Sequence, residues 1–386
     1  MINRRLFWIL AIANFLLFFG FSVWTAVFNN FAVGQIGVRP EQIGLIQSLR
    51  EVPGLMGFTF ALLALLLPEM RIMAISIIVL GAGLVMSGRA DTVLSLLVAT
   101  LITSVGFHYF LSGTSAVTLL VAEAAQVPRV LGAFNAVMAI ASITATGGVA
   151  LAVGRLGERG ILYASGIMLI VGGLAFMPFM KQHGRRPPPR RSPLRRCYWL
   201  YYVLTFLMGS RRHIASTFAI FLLVKEHGIS TQTAALLYLV NSLINTFAGP
   251  QIGRLVARFG ERRMLTINYA ILIAVFLGYA YVPWLGVLYV LFVMDGVLAG
   301  FELALSSYFK KIAVSPDDIT GNVSVAQSIN HISAVILPLA GGWAWALFGP
   351  QVTFLFGVGI VVIALALTQR MQAAAEPVAP IQAAAA

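Results

Sequence analysis

KQHGRRPPPRRSPLRRC, residues Lys181 to Cys197, is the longest polar interruption in an otherwise apolar chain of 386 residues. It holds seven basic residues and the run Pro187-Pro188-Pro189, so it neither continues a helix nor enters hydrocarbon. Six apolar stretches precede it, at 6–31, 42–67, 72–87, 93–122, 130–154 and 160–180. Six follow, at 198–224, 232–257, 264–282, 284–312, 321–348 and 350–369. Each is near the roughly 20 residues that a helix needs to cross a bilayer. Breakers such as Pro40, Pro68, Pro128, Gly157, Gly228, Pro283, Pro316 and Gly349-Pro350 separate them, and the short connections make neighbouring helices antiparallel.

Composition agrees: 59% hydrophobic against 10% charged residues lies far outside the soluble range and leaves no room for a sizeable soluble domain. The expected fold is an all-α membrane protein of twelve transmembrane helices in two six-helix bundles, 1–180 and 198–371. The basic linker occupies 181–197 and a disordered Ala-rich tail 372–386. The first stretch follows Arg4 and Arg5 but is too long for a signal peptide and lacks a small-residue cleavage site, so it is read as a retained span.

The 26 Lys and Arg against 13 Asp and Glu would point to nucleic acid in a soluble protein; here they report topology. With the N-terminus inside, 18 of the 26 fall in inside loops and termini and five outside, at Arg39, Arg89, Arg155, Arg159 and Lys225. The remaining three, Arg50, Arg211 and Arg212, lie within spans. The asymmetry places both termini in the cytoplasm of a bacterial-type inner membrane. One cysteine, Cys197, excludes an internal disulfide and a thiolate cluster. No GxxxxGK[ST], HExxH or GxSxG motif occurs, the histidines lack metal-site spacing, and neither cofactor nor enzymatic activity is expected.

The two halves also carry parallel marks. Pro128, Gly132, Asn135 and Gly147-Gly148 in the fifth span correspond to Pro316, Gly321, Gln327 and Gly341-Gly342 in the eleventh. Duplication of this kind implies a site between halves. The loop after the eighth span, Gly253-Arg254-Leu255-Val256-Ala257-Arg258-Phe259-Gly260-Glu261-Arg262-Arg263, resembles the G-x-L-x-D-R-x-G-R-[RK] loop of the major facilitator superfamily. The twelve-span layout and central linker are similar over nearly the whole chain. Ala257 stands where that family has aspartate, and the corresponding first-half loop is reduced to Pro68-Glu69-Met70-Arg71. The resemblance implies alternating access around a midplane cavity lined by spans 1, 4, 7 and 10, with Arg258 in a cytoplasmic latch.

Ionisable groups within the spans lead independently to the same region, because a charge at the bilayer centre costs about 2.5–3.5 kcal/mol even on the lenient insertion scale. Arg211, Arg212 and His213 on span 7, with His108 and Tyr109 on span 4, Asn241 on span 8 and Asn330 on span 11, are the expected solute-binding groups. Adjacent Arg211 and Arg212 point about 100° apart on a helix and so serve different partners. Asp295 and Glu302, seven apart on span 10, are candidate proton carriers, with permanent ion pairing to the arginines the competing reading. Arg50 and Glu51, read as the outer part of span 2, are candidate gate residues.

The expectation is a secondary transporter of a small organic solute, anionic or zwitterionic, with proton coupling, acting as a monomer in the lipid bilayer without nucleic acid. Proton-coupled efflux of amphiphilic or cationic compounds is the alternative within transport. A non-transporting membrane receptor or scaffold is the alternative outside it. Cytoplasmic placement of the linker has a direct consequence: an impermeant thiol reagent applied to intact cells should leave Cys197 unlabelled until the membrane is permeabilised. Labelling of intact cells would invert the topology.

Overall fold

The computed structural model describes residues 4–121, 126–179 and 194–371; most of the linker and the Ala-rich tail lie outside them. The described residues form helices: α1 (Arg4–Phe31), α2 (Pro40–Arg50), α3 (Val52–Leu55), α4 (Phe58–Leu66), α5 (Glu69–Arg89), α6 (Val93–Val121), α7 (Val127–Phe176), α8 (Trp199–Lys225), α9 (Thr231–Phe259), α10 (Glu261–Tyr281), α11 (Leu285–Ala299), α12 (Glu302–Ile312), α13 (Pro316–Phe348) and α14 (Pro350–Thr368).

Eight helical stretches are long and apolar enough to cross a membrane on their own. Twelve spans result. Gly157 divides one of the eight, α7, in two; α2 to α4 add one span bent by 53°; and α8 and α9, which carry Arg211, Arg212, Asn241 and Asn245, add two more, α11 and α12 together already counting as one. The outward faces are apolar, with Leu66 80% and Leu151 85% exposed, as lipid-facing side chains must be.

The turns follow from residue type. Gly157 (φ 66°) and Gly349 (φ 89°) both have ψ 172°, a region closed to other residues, and they sit at equivalent positions, between spans 5 and 6 and between spans 11 and 12. This is the repeat's firmest signature. The paired glycines expected to match do not behave alike: Gly341 and Gly342 pack closely on Phe218 and on the Pro40 carbonyl, whereas an added Cβ at Gly147 or Gly148 meets nothing nearer than 4.0 Å.

Before the linker α5 packs on α6 and α7, and α1 on α7; after it α14 packs on α8 and α10, and α13 on α8; α2 with α13 and α7 with α9 are the main pairs that join the two groups. Contacts between groups concentrate at the end opposite the linker. There Asn30 donates to the Ile229 carbonyl at 2.6 Å, Thr231 donates to Glu158, and Ser48 donates to the Val335 carbonyl. Gly44 and Gly342 let α2 and α13 touch backbone to backbone. Between the groups lies a cavity of about 1170 Å³. It runs from the middle of the bundle past Phe58, Ser115, Tyr201 and Ser306 to the exposed Ser324, Gln327 and Ser328, so it opens toward the linker end.

Closure of the far end depends on that glycine contact. A Cβ on Gly44 would lie 2.3 Å from the Pro338 carbonyl oxygen. Overpacking of this kind costs about 1–3 kcal/mol in the state where the helices touch and nothing where they part. Gly44→Val should therefore add a longer-distance population between spin labels at positions 39 and 343 in a Cys197→Ser background. An unchanged distance distribution would remove this contact from the closure.

Candidate functional site

The cavity roof is built where two spans break. The second loses its helix at Glu51, where Pro53, Gly54 and Gly57 interrupt the hydrogen-bond ladder; the tenth breaks at Gly300-Phe301. Both breaks carry charges on the ends that suit them. Arg50 occupies the last turn of α2 and Glu302 the first residue of α12, so cation and anion each face the favourable pole of a helix dipole.

All three intramembrane arginines have a carboxylate partner. Arg50 Nη2 donates to Glu51 Oε1 at 2.6 Å, and its guanidinium lies 5.4 Å from the Trp24 ring centroid. Arg211 Nη1 donates to Asp295 Oδ1 at 3.2 Å, and Arg212 Nη1 to Glu302 Oε2 at 2.7 Å. Pairing offsets the cost of burying each charge.

The two adjacent arginines divide as their 100° separation requires. Arg211 is 1% exposed, turned away from the cavity, and its Nε and Nη2 have no hydrogen-bond partner. Arg212 is on the cavity wall, about a third of its side chain exposed, with Nη2 donating to Asn330 Oδ1. His213 lines the cavity beside Asn330, and Glu302 Oε1 is left without a partner.

His108 and His331 meet at the roof although they come from α6 and α13. Their ring centroids are 5.2 Å apart. Glu51 Oε2 lies 3.2 Å from His331 Nδ1 and 3.7 Å from His108 Nε2, so one carboxylate joins residues from both sides of the linker. Gly54 makes room for them: an added Cβ there would sit 2.3 Å from His331 Cε1 and 2.6 Å from His108 Cδ2.

Of the residues singled out in the sequence, Arg50, Glu51, His108, Arg212, His213, Glu302 and Asn330 are thus brought to one cavity. Arg50 and Glu51 lie deeper than the outer position expected. Tyr109 faces away, sharing a hydrogen bond with Thr59 and packing on Phe60, because its neighbour His108 takes the cavity side of α6. Asn241 is spent on the α9–α11 contact, against Gly296 and Asn245. Asp295 belongs to the buried pair with Arg211, outside the cavity lining.

Arg258 is exposed and stacks on its neighbour Phe259 at 5.2 Å. The bonds of that loop run instead through Glu261, which accepts from Lys311 Nζ at 2.8 Å and Ser307 Oγ at 2.7 Å. This pairing joins two elements on the same side of the linker. Glu261, Ser104 and Gly54 were not singled out from the sequence. A carboxylate at a helix start facing Lys310-Lys311 was the available signal for the first; nothing local marked the other two.

A profile of the Major Facilitator Superfamily matches residues 10–309 and 199–385. A search of curated proteins finds no match by sequence. Among solved structures, a bacterial homologue of the human lysosomal transporter Spinster, in an inward-facing and occupied conformation, superposes with a TM-score of 0.76 at 16% identity, covering 95% of this chain and 97% of its own. The nucleoside transporter NupG superposes with a TM-score of 0.76 at 17% identity, covering 95% and 98%.

The geometry separates the arginines by experiment. Arg211→Ala strands Asp295 in the core, a loss of about 3–5 kcal/mol for a broken buried pair, and should lower the yield of folded protein. Adding Asp295→Ala should restore it. Arg212→Ala, on a solvated wall, should fold normally. Equal damage from both single variants, or no rescue by the double, would contradict the division of roles.

Proposed function

Because this chain belongs to the major facilitator superfamily, a family of multi-pass membrane transporters rather than enzymes, we propose that it carries a small anionic or zwitterionic organic solute by alternating access, coupled to protons. The observation that supports the reading best is Arg212: a guanidinium on the wall of the cavity, held by one carboxylate and one amide oxygen. Arginine's planar fork suits a carboxylate or phosphate on the solute. The Glu302 carboxylate beside it, about a third exposed on the same wall, offers an acceptor to an ammonium or hydroxyl on the same molecule.

The same pair supplies a coupling mechanism. Glu302 and an anionic solute compete for one guanidinium. A proton on Glu302 removes its charge and releases Arg212, so solute and proton bind together and leave together. Such coupling keeps the cavity neutral when both are bound, which matters where an unpaired charge is costly. Asp295, tied to the buried Arg211, serves as a fixed counter-charge.

On this reading the linker end is cytoplasmic and the structure is the inward-facing state. The layer closed beside Asn30, Ile229 and the Gly44–Gly342 contact is then the outer gate, and Glu51 with His331 its inner edge. The chain works as a monomer in the inner membrane.

Purified protein in proteoliposomes, screened with labelled metabolites, tests the reading. Loss of the charge-assisted contact is worth about 1.5–3 kcal/mol, so solute affinity should fall roughly ten- to hundredfold in Arg212→Ala and less in Arg212→Lys. Glu302→Gln should retain solute exchange and lose uphill accumulation driven by a proton gradient. Unchanged affinity in both Arg212 variants would overturn the anion site and favour export of cations on Glu302. Wild-type accumulation in Glu302→Gln, with loss in Asp295→Asn, would move coupling to Asp295.

A further inference from the structure

The cluster at the cavity roof carries chemistry that the solute site does not use. We propose that Glu51, His108 and His331 form a binding site for a divalent transition metal ion that clasps the two helix groups in the state seen here. Their ligand atoms, Glu51 Oε2, His108 Nε2 and His331 Nδ1, all lie within 4.8 Å of one another. Four-coordinate zinc holds ligand atoms about 3.3 Å apart, given bonds of about 2.0–2.1 Å. The carboxylate oxygen is already 3.2 Å and 3.7 Å from the two ring nitrogens, and the nitrogens, within 4.8 Å of each other, reach that spacing by closing about 1.5 Å at most.

Hydrogen bonding fixes one ring for the task. Ser104 Oγ donates to the Arg50 carbonyl, so toward His108 it can only accept. His108 Nδ1 lies 3.0 Å from that hydroxyl and 3.0 Å from the Ser104 carbonyl, two acceptors, and therefore carries the proton. In the neutral ring Nε2 is then a lone pair aimed at a carboxylate oxygen 3.7 Å away. Two acceptors face each other across a gap, an arrangement that a cation between them relieves. An imidazole held through its other nitrogen by a backbone carbonyl is also how metal-binding histidines are oriented. Gly54 completes the site by leaving both rings free to converge.

The type of ion follows from the ligands and surroundings. Arg50 keeps Glu51 Oε1 and leaves Oε2 to the ion, while placing a positive charge beside it. Ions bound mainly by charge and oxygen, magnesium and calcium, are disfavoured there. Zinc, cobalt and nickel, which bond well to imidazole, are favoured. Water in the cavity supplies the remaining positions. Glu51 and His108 come from one side of the linker and His331 from the other, so coordination ties the halves together and holds the far end closed.

The test is titration of the full-length, tag-free protein in detergent with Co²⁺ or Zn²⁺ alone, read by the visible cobalt spectrum and by calorimetry, with Mg²⁺ as control. One ion per chain should bind with nitrogen-ligated cobalt bands. Affinity should fall about tenfold or more in His108→Ala and in His331→Ala, and Ser104→Ala should weaken binding while keeping all three ligands. Zn²⁺ should also deplete the open-far-end population reported by labels at positions 39 and 343, and lose this effect in His331→Ala. His213→Ala and Cys197→Ser should bind as wild type. No binding at micromolar ion, binding undiminished in both histidine variants, or binding without any change in label distance would overturn the proposal. These readouts need no solute, so they stand or fall separately from the transport reading.

Discussion

A charge in the hydrocarbon layer must be paired or wetted, and this requirement organises the whole molecule. Three arginines and three carboxylates lie near the middle of the bundle and pair one to one, Arg50 with Glu51, Arg211 with Asp295 and Arg212 with Glu302. Two of the pairs sit on the cavity and one is turned into the protein. The breaks in the second and tenth spans belong to the same solution. They expose helix ends whose dipoles favour the charge each one holds, and they bend the chain so that these charges face water.

Much of this was legible in the sequence because hydrocarbon thickness and backbone hydrogen bonding leave few alternatives to a twelve-span bundle. The central linker at Lys181 to Cys197, the turn glycines and the short roster of intramembrane charges could all be read directly. Three arginines against three carboxylates within the spans allowed complete internal pairing without requiring it. Helical geometry required Arg211 and Arg212 to diverge, but which one reached the cavity depended on how α8 is rotated against α11, α12 and α13, a property of packing.

Contacts between distant segments were not legible. Glu51 and His331 are 280 residues apart, and no spacing rule brings His108 to them. Local neighbours misled in a consistent way. Tyr109 was grouped with the site as the neighbour of His108 and Asn241 as a polar residue within span 8, yet each is engaged by an adjacent helix, Tyr109 by Thr59 and Asn241 by α11. Arg258 followed from a family motif, but it lies exposed on Phe259, and the ion pair in that loop is Glu261 with Lys311. Polar side chains in a bundle take whichever partner their helix face meets.

The pairs differ in what they connect, and that difference gives the structure its direction. Arg211–Asp295 and Arg212–Glu302 lie within one helix group and can persist through a rigid-body movement. Glu51–His331 spans the two groups at the edge of the closed layer, so it must break when that layer opens. The central claim is that this contact biases the equilibrium between states. It is tested most directly by a double-mutant cycle of Glu51→Gln and His331→Ala, reading label distances across the end opposite the linker. Each single change should raise the open population, and the double variant should match either one alone, with a coupling of about 1 kcal/mol or more. Distance distributions that leave the open population unchanged in every variant, or shifts that simply add, would contradict it.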